Sequence, residues 1–291
     1  MEVRVARVAV AEGVYLNVQR RDGEGNGDGV AFLLVHGLAS NLHLWDEVAA
    51  YLAAWGHAVA ALDQRGHGRS DKPEAGYDFP TFTQDLSRVV EVLGFDRPVL
   101  VGQSWGANVV LEAAWRFPNL ARGVACIDGG WIELQRDFPN WTDCVEVLAP
   151  PALAGRRLSE IEALLRSHHP DWSDPGIVGA LACFEHLADG TVAPWLSLEH
   201  HLAILQALWE HRPSSRYGEI EVPVLLVPAQ PGSSAGSSDD AEDRRPQVEQ
   251  AAAALSRGRL HWMRGDHDLH AHHPEEVASL LHHTVVDGFF G

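Results

Sequence analysis

Cationic side chains are scarce: 22 Lys and Arg stand against 40 Asp and Glu in 291 residues, a formal net charge of -18. No Lys/Arg cluster offsets that field, which repels phosphate backbones and anionic lipid, so nucleic acid and membranes are excluded as expected partners. Cysteine is scarce as well. Cys126, Cys144 and Cys183 are an odd number without metal-ligand spacing, so neither a disulfide framework nor a thiolate metal site is implied. Apolar runs long enough to cross a bilayer are missing. The first residues, MEVRVARVAVAEGVYLNVQ, alternate like a strand and lack the basic start and apolar core of a signal peptide. A cytoplasmic location is expected, with a homodimer left open.

Histidine, by contrast, is plentiful. The 17 histidines are scattered, and the adjacent pairs His168–His169, His200–His201 and His272–His273 point apart on a helix. No metal site and no organic cofactor are expected from them.

With 46% hydrophobic residues, the chain can bury a substantial core. Short apolar runs alternate with longer amphipathic ones: VAFLLVHG, LWDEVAAYLAAWG, HAVAALDQRG, FTQDLSRVVEVLG, PVLVGQSWG, ANVVLEAAWRFP and ARGVACIDGG. Such alternation predicts an α/β fold, a mostly parallel central sheet with helices on both faces. After Asp128 the pattern breaks into aromatic, Pro-punctuated helical pieces, then resumes with VPVLLVPA, PQVEQAAAALSR, RLHWMRG and HPEEVASLLHHTVVDGF. Residues 1–130 and 217–291 therefore read as a core, and 131–216 as an inserted helical cap over the carboxyl ends of the strands, where such sheets bind ligands. The stretch PAQPGSSAGSSDDAED, 228–243, reads as a mobile surface loop.

The run PVLV leads into Gly102-Gln103-Ser104-Trp105-Gly106 and then a helix. Glycines two before and two after a serine allow a strained strand-to-helix turn that presents the hydroxyl, and the helix N-terminus adds positive potential there.

With this elbow, VHGLASN at 35–41 and LDQRGHGRSDKP at 62–73, the chain resembles the α/β-hydrolase fold superfamily over nearly its whole length. The resemblance implies Ser104 as nucleophile and the backbone N–H groups of Leu38 and Trp105 as an oxyanion hole, worth about 3 kcal/mol per donor. His36 is expected to shape its loop, and Asp63 and Arg65 to lock the turn after a strand. For the base, the resemblance favours Gly265-Asp266-His267, with Pro274 opening the last helix. That makes His267 the choice over His270, His272 and His273. Asp266 and Asp268 flank it but point away from its Nδ1.

The acid is the irregular member. Relatives carry it about nine residues beyond the Pro of VPVLLVPA, which lands on Gly232 between Pro231 and Ser233, none of them a carboxylate. Asp128, after the preceding strand and before two glycines, is the preferred alternative; Asp239, Asp240 and Asp243 are the others.

A Ser nucleophile with two N–H donors implies acyl transfer to water on an ester, lactone or other acyl bond of a small substrate. Ser rather than Asp at 104 argues against dehalogenase or epoxide-hydrolase chemistry. A C–C bond hydrolase, an aminopeptidase using Glu185 or Glu199, a cofactor-free perhydrolase and a non-catalytic binding protein stay open. Trp141, Trp172, Trp195 and Trp209, with Phe184, suggest a largely apolar pocket.

Overall fold

The computed structural model describes residues 2–24, 29–230 and 238–291, of which 238–243 are described as backbone only. A hairpin of β1 (Val3–Ala11) and β2 (Val14–Arg21) opens the chain. Strand and helix then alternate through β3 (Ala31–Val35), α1 (Asp46–Ala54), β4 (Ala58–Leu62), α2 (Phe79–Leu93), β5 (Val99–Gln103), α3 (Trp105–Arg116) and β6 (Gly123–Ile127). An insertion follows: α4 (Leu134–Asp137), α5 (Trp141–Leu148), α6 (Leu158–His168), α7 (Asp174–Leu181), β7 (Phe184–His186), β8 (Val192–Pro194) and α8 (Leu198–Glu210). The chain ends with β9 (Val224–Val227), β10 (Ala229–Gln230), α9 (Ser238–Ala254), β11 (Gly258–Leu260), β12 (Met263–Arg264), α10 (Leu269–His272) and α11 (Pro274–Val286).

Eight strands form one sheet in the order β1-β2-β4-β3-β5-β6-β9-β11. Pairing is antiparallel from β1 through β4 and parallel from β4 to β11. The central parallel strands β3, β4, β6 and β9 are apolar throughout because both faces are covered, whereas the edge strand β11 carries Arg259. Leu33, Val35, Leu100, Val124 and Leu226 point to one side, where they pack with residues of α2, α3 and α9. Phe32, Leu34, Val101, Ala125 and Leu225 point to the other, against α1 and α11. Within the insertion, Ile161, Trp172, Ile177, Leu181 and Val192 build a small cluster of their own that reaches the main body through Leu44 and Ala271. Among the described residues, no helix is long and apolar enough to cross a membrane.

Three local expectations change. The insertion is not wholly helical: β7 and β8 pair antiparallel around Asp189-Gly190, where Gly190 takes φ +82° and Asp189 Oδ1 accepts the Thr191 N–H at 2.9 Å. A short Asp-Gly turn favours that hairpin over another helix. The run RLHWMRG breaks, so that β11 joins the main sheet beside β9 while β12 pairs in parallel with β10. Nor is 228–243 a loop throughout, because β10 occupies its start and α9 begins at Ser238. An acidic run suits the positive end of a helix dipole. Positions 231–237 lie outside the described residues.

Candidate active site

Ser104 sits between β5 and α3 with φ +54° and ψ -124°, a conformation non-glycine residues rarely hold. The glycines around it are steric requirements. A Cβ on Gly102 would stand 2.2 Å from the Gly106 carbonyl oxygen, and one on Gly106 would stand 2.4 Å from that of His36. Ser104 is tied down by its N–H, which donates to the Ile127 carbonyl at 2.9 Å, and by its carbonyl, which receives the Ala107 N–H at 3.0 Å. The sharp turn is thus over-determined by its surroundings.

Opposite the turn runs the loop 37–40, braced by two buried histidines. His36 Nε2 accepts the Gln64 N–H at 3.0 Å, so its Nδ1 carries the proton and donates to the Gly37 carbonyl at 2.7 Å. His67 Nε2 likewise accepts the Ala39 N–H at 3.1 Å while its Nδ1 donates to the Arg65 carbonyl at 3.0 Å. Burial lowers the pKa of both rings, His67 well below its ordinary value, which keeps them neutral for these roles. Ala39, held at φ +59°, is the strained member of that loop. Beneath it, Asp63 accepts N–H groups from Asn17, Leu42 and Arg69, and Arg65 grips Asp85 through two 2.7 Å bonds. The expected structural roles of His36, Asp63 and Arg65 agree with these bonds.

Asp128 follows β6 at φ +42° and is 5% exposed. Its N–H donates to the Val227 carbonyl at 2.8 Å, its Oδ1 accepts the Ala229 N–H at 3.0 Å, and its Oδ2 lies 2.6 Å from His267 Nδ1. A Cβ on Gly129 would stand 2.3 Å from the Ser104 carbonyl oxygen, so the chain after Asp128 can pass the turn only as glycine. Burial lowers the His267 pKa, but the Asp128 hydrogen bond and the charges of Asp128 and Asp268 outweigh it and leave the ring above its ordinary 6.5. The side chains of Asp239, Asp240 and Asp243, and Gly232 with its neighbours, lie outside the described residues. Among the other histidines, His270 is fully buried against Trp45 and desolvation pushes its pKa down to about 3. Contrary to the expectation that they point apart, the partly buried His272 and His273 stack on each other at 3.9 Å, because His273 sits at the break between α10 and α11 with φ -129° and ψ 59°.

Leu38, Ser104, His201 and His267 line two cavities at once, of about 390 and 590 Å³. The smaller adds Trp105, Asp128, Trp131, Arg244 and Gln247; the larger adds Leu165, Trp172, Phe184, Leu196 and Asp268. Of the aromatic residues marked in the sequence, Trp172 and Phe184 reach this space. Trp195 lines a separate hollow with Glu185, Trp141 packs against Trp209, and Glu199 is exposed.

A family model described as alpha/beta hydrolase fold matches residues 30–150. The solved structure of E-2-(acetamidomethylene)succinate hydrolase superposes with a TM-score of 0.78 at 24% identity, covering 98% of this chain and 100% of that one. The chain has the α/β-hydrolase fold. A thioesterase domain from the curacin biosynthetic pathway shares it, with a TM-score of 0.77 at 22% identity over 97% of this chain and 99% of that one. In sequence, 2-(acetamidomethylene)succinate hydrolase of Mesorhizobium japonicum is 32% identical over 163 residues, 54% of this chain and 54% of that protein. The chain thus spans about half the length of that curated relative.

Two side chains of this α/β-hydrolase fold escaped sequence reasoning. Gln103 Nε2 donates to the His267 carbonyl at 3.1 Å, joining the serine turn to the histidine loop. Asp266 Oδ2 accepts Trp172 Nε1 at 2.8 Å and lies 3.1 Å from His169 Nδ1, which pins the histidine loop to the insertion. Gln103 is the variable position of the elbow and Asp266 merely flanks His267, so neither carries a local signal.

Proposed function

We propose that this protein is a serine hydrolase that cleaves an ester, lactone or other acyl bond of a small, largely apolar substrate through an acyl-Ser104 intermediate. The observation that carries the reading is the 2.6 Å contact of Asp128 Oδ2 with His267 Nδ1 beside cavities that His267 shares with Ser104. A carboxylate only accepts, so Nδ1 keeps its proton and Nε2 is left as the base. In this account His267 takes the Ser104 proton as the oxygen attacks the carbonyl, then hands it to the leaving group. Asp128 stabilises the imidazolium. The Leu38 and Trp105 N–H groups stabilise the developing oxyanion; the Trp105 indole is 1% exposed, so that residue offers the site its backbone. Water then repeats the sequence against the acyl enzyme. Residues 131–216 act as a cap whose apolar lining, Leu165, Trp172 and Leu196, selects the substrate. No metal or organic cofactor is invoked.

The fold and the family match support hydrolysis, and a Ser nucleophile with a thioesterase-domain neighbour supports an acyl bond. The test is a series of p-nitrophenyl esters, lactones and aminoacyl amides. The wild type is expected to turn over at least one class with a burst of acyl enzyme, and Ser104→Ala to lose about a thousandfold or more in kcat/KM. Folded protein inert toward all of them, or full activity in Ser104→Ala, contradicts the proposal and favours a binding protein.

A further inference from the structure

The larger cavity beside Ser104 is mostly apolar, yet its wall holds a carboxyl. Asp268 is the sole acidic residue among the described residues lining it, and neither Lys nor Arg is present there. The Asp268 backbone is committed: its N–H donates to Asp266 Oδ1 at 3.1 Å, and its carbonyl receives Ala271 N–H at 2.8 Å and His272 N–H at 2.9 Å. Its carboxylate is not. At the start of α10 it makes no side-chain capping bond, and no hydrogen bond or ion pair to it occurs among the described residues. Burial raises its pKa, and the charges of Asp266 and Asp128 add to that against His267 and His169. An acid left this way lacks the partner that would offset its desolvation.

A second group points the same way. His201, 6% exposed, lines both cavities with neither ring nitrogen hydrogen-bonded. Burial lowers its pKa, the Leu148 carbonyl opposing in part. The lining of this apolar space therefore holds two polar side chains, Asp268 and His201, without hydrogen-bond partners among the described residues.

We propose that Asp268 is the specificity residue for a cationic ammonium group on the substrate, the apolar remainder of which fills the cavity beneath the cap. This rests on the hydrolase reading of the same site. Trp172 and Phe184 present aromatic surface in the same wall, which suits a cation. The net charge of -18 raises the local concentration of cations and lowers that of carboxylates. A dicarboxylate such as the succinate in the relative's name finds neither Lys nor Arg among the described residues of this wall. The acid comes from the core loop after His267, whereas Glu185 and Glu199, the acids suggested by sequence, stand outside this cavity.

Two measurements separate this inference from the hydrolase reading. In calorimetry, hexylammonium should bind the wild type about tenfold or more tightly than hexan-1-ol, with that preference lost in Asp268→Asn and retained in Asp268→Glu. In kinetics, p-nitrophenyl esters of 2-amino- and 6-aminohexanoate are compared with hexanoate. The ammonium-to-neutral ratio of kcat/KM for the better amino ester should exceed about ten in the wild type and collapse, through KM, in Asp268→Asn. Equal binding of the two hexyl probes, or a preference that survives in Asp268→Asn, overturns the inference. So does an equal slowing of all esters, which marks Asp268 as a positioning residue for His267. Ester cleavage without ammonium preference contradicts this inference alone; ammonium binding through Asp268 without cleavage of any ester contradicts the hydrolase reading alone.

Discussion

At the scale of single residues, His267 sets the pH behaviour. Its pKa stands above 6.5 because the Asp128 hydrogen bond and nearby carboxylates outweigh desolvation. On the proposed mechanism the neutral ring is the base, so acylation should rise with pH through a midpoint above 6.5, and Asp128→Asn should move that midpoint down. A pH profile of kcat/KM with its rising limb below 6.5 contradicts this assignment. The linked effect on stability has the opposite sense: a raised histidine pKa stabilises the fold below its ordinary value, and that contribution fades as pH climbs through the folded value. Ser104 and His267 were legible in the sequence because each lies in a short, spaced motif. Asp128 was legible as the preferred of several carboxylates, from its place at a strand end before two glycines, but the Ala229 and His267 contacts that single it out are made across 101 and 139 residues. Asp268 had no signal at all, because a cavity wall is a property of the folded chain.

At the scale of elements, the serine turn is where packing and chemistry meet. Gly102→Ala places a methyl 2.2 Å from the Gly106 carbonyl oxygen, backbone against backbone, with no side chain able to give way. The variant should lose about 2–3 kcal/mol in denaturant unfolding and lose Ser104 reactivity with it. Unchanged stability would show that the turn is looser than described. The alternation of β3 to β6 with their helices could be read directly because buried parallel strands are continuous apolar runs. The hairpin β7–β8 and the split of β11 from β12 could not. Three- and two-residue strands carry too little periodicity, and their pairing depends on partners far along the chain.

For the molecule as a whole, the proposed ammonium preference gives the excess of acidic residues a role in encounter with substrate. A charge of -18 attracts cations over distances set by the Debye length, about 10 Å at 0.1 M salt. The kcat/KM for an ammonium-bearing ester should fall severalfold between about 0.01 and 0.5 M salt, while that of its neutral counterpart holds. Salt-independent turnover of the cationic ester would place the attraction elsewhere. The insertion joins the same picture: Asp266 fastens it to the histidine loop through Trp172 and His169, so on the proposed reading the substrate-selecting cap and the base share one support.

The central claim is that Ser104 is a nucleophile activated through His267 by Asp128. Covalent labelling with a fluorophosphonate, mapped by peptide mass and followed in time, tests it most directly. A single adduct on Ser104 is predicted, absent in Ser104→Ala and formed slower by about a thousandfold or more in Asp128→Asn. A folded wild type that takes no adduct, or an Asp128→Asn protein labelled at the wild-type rate, contradicts it.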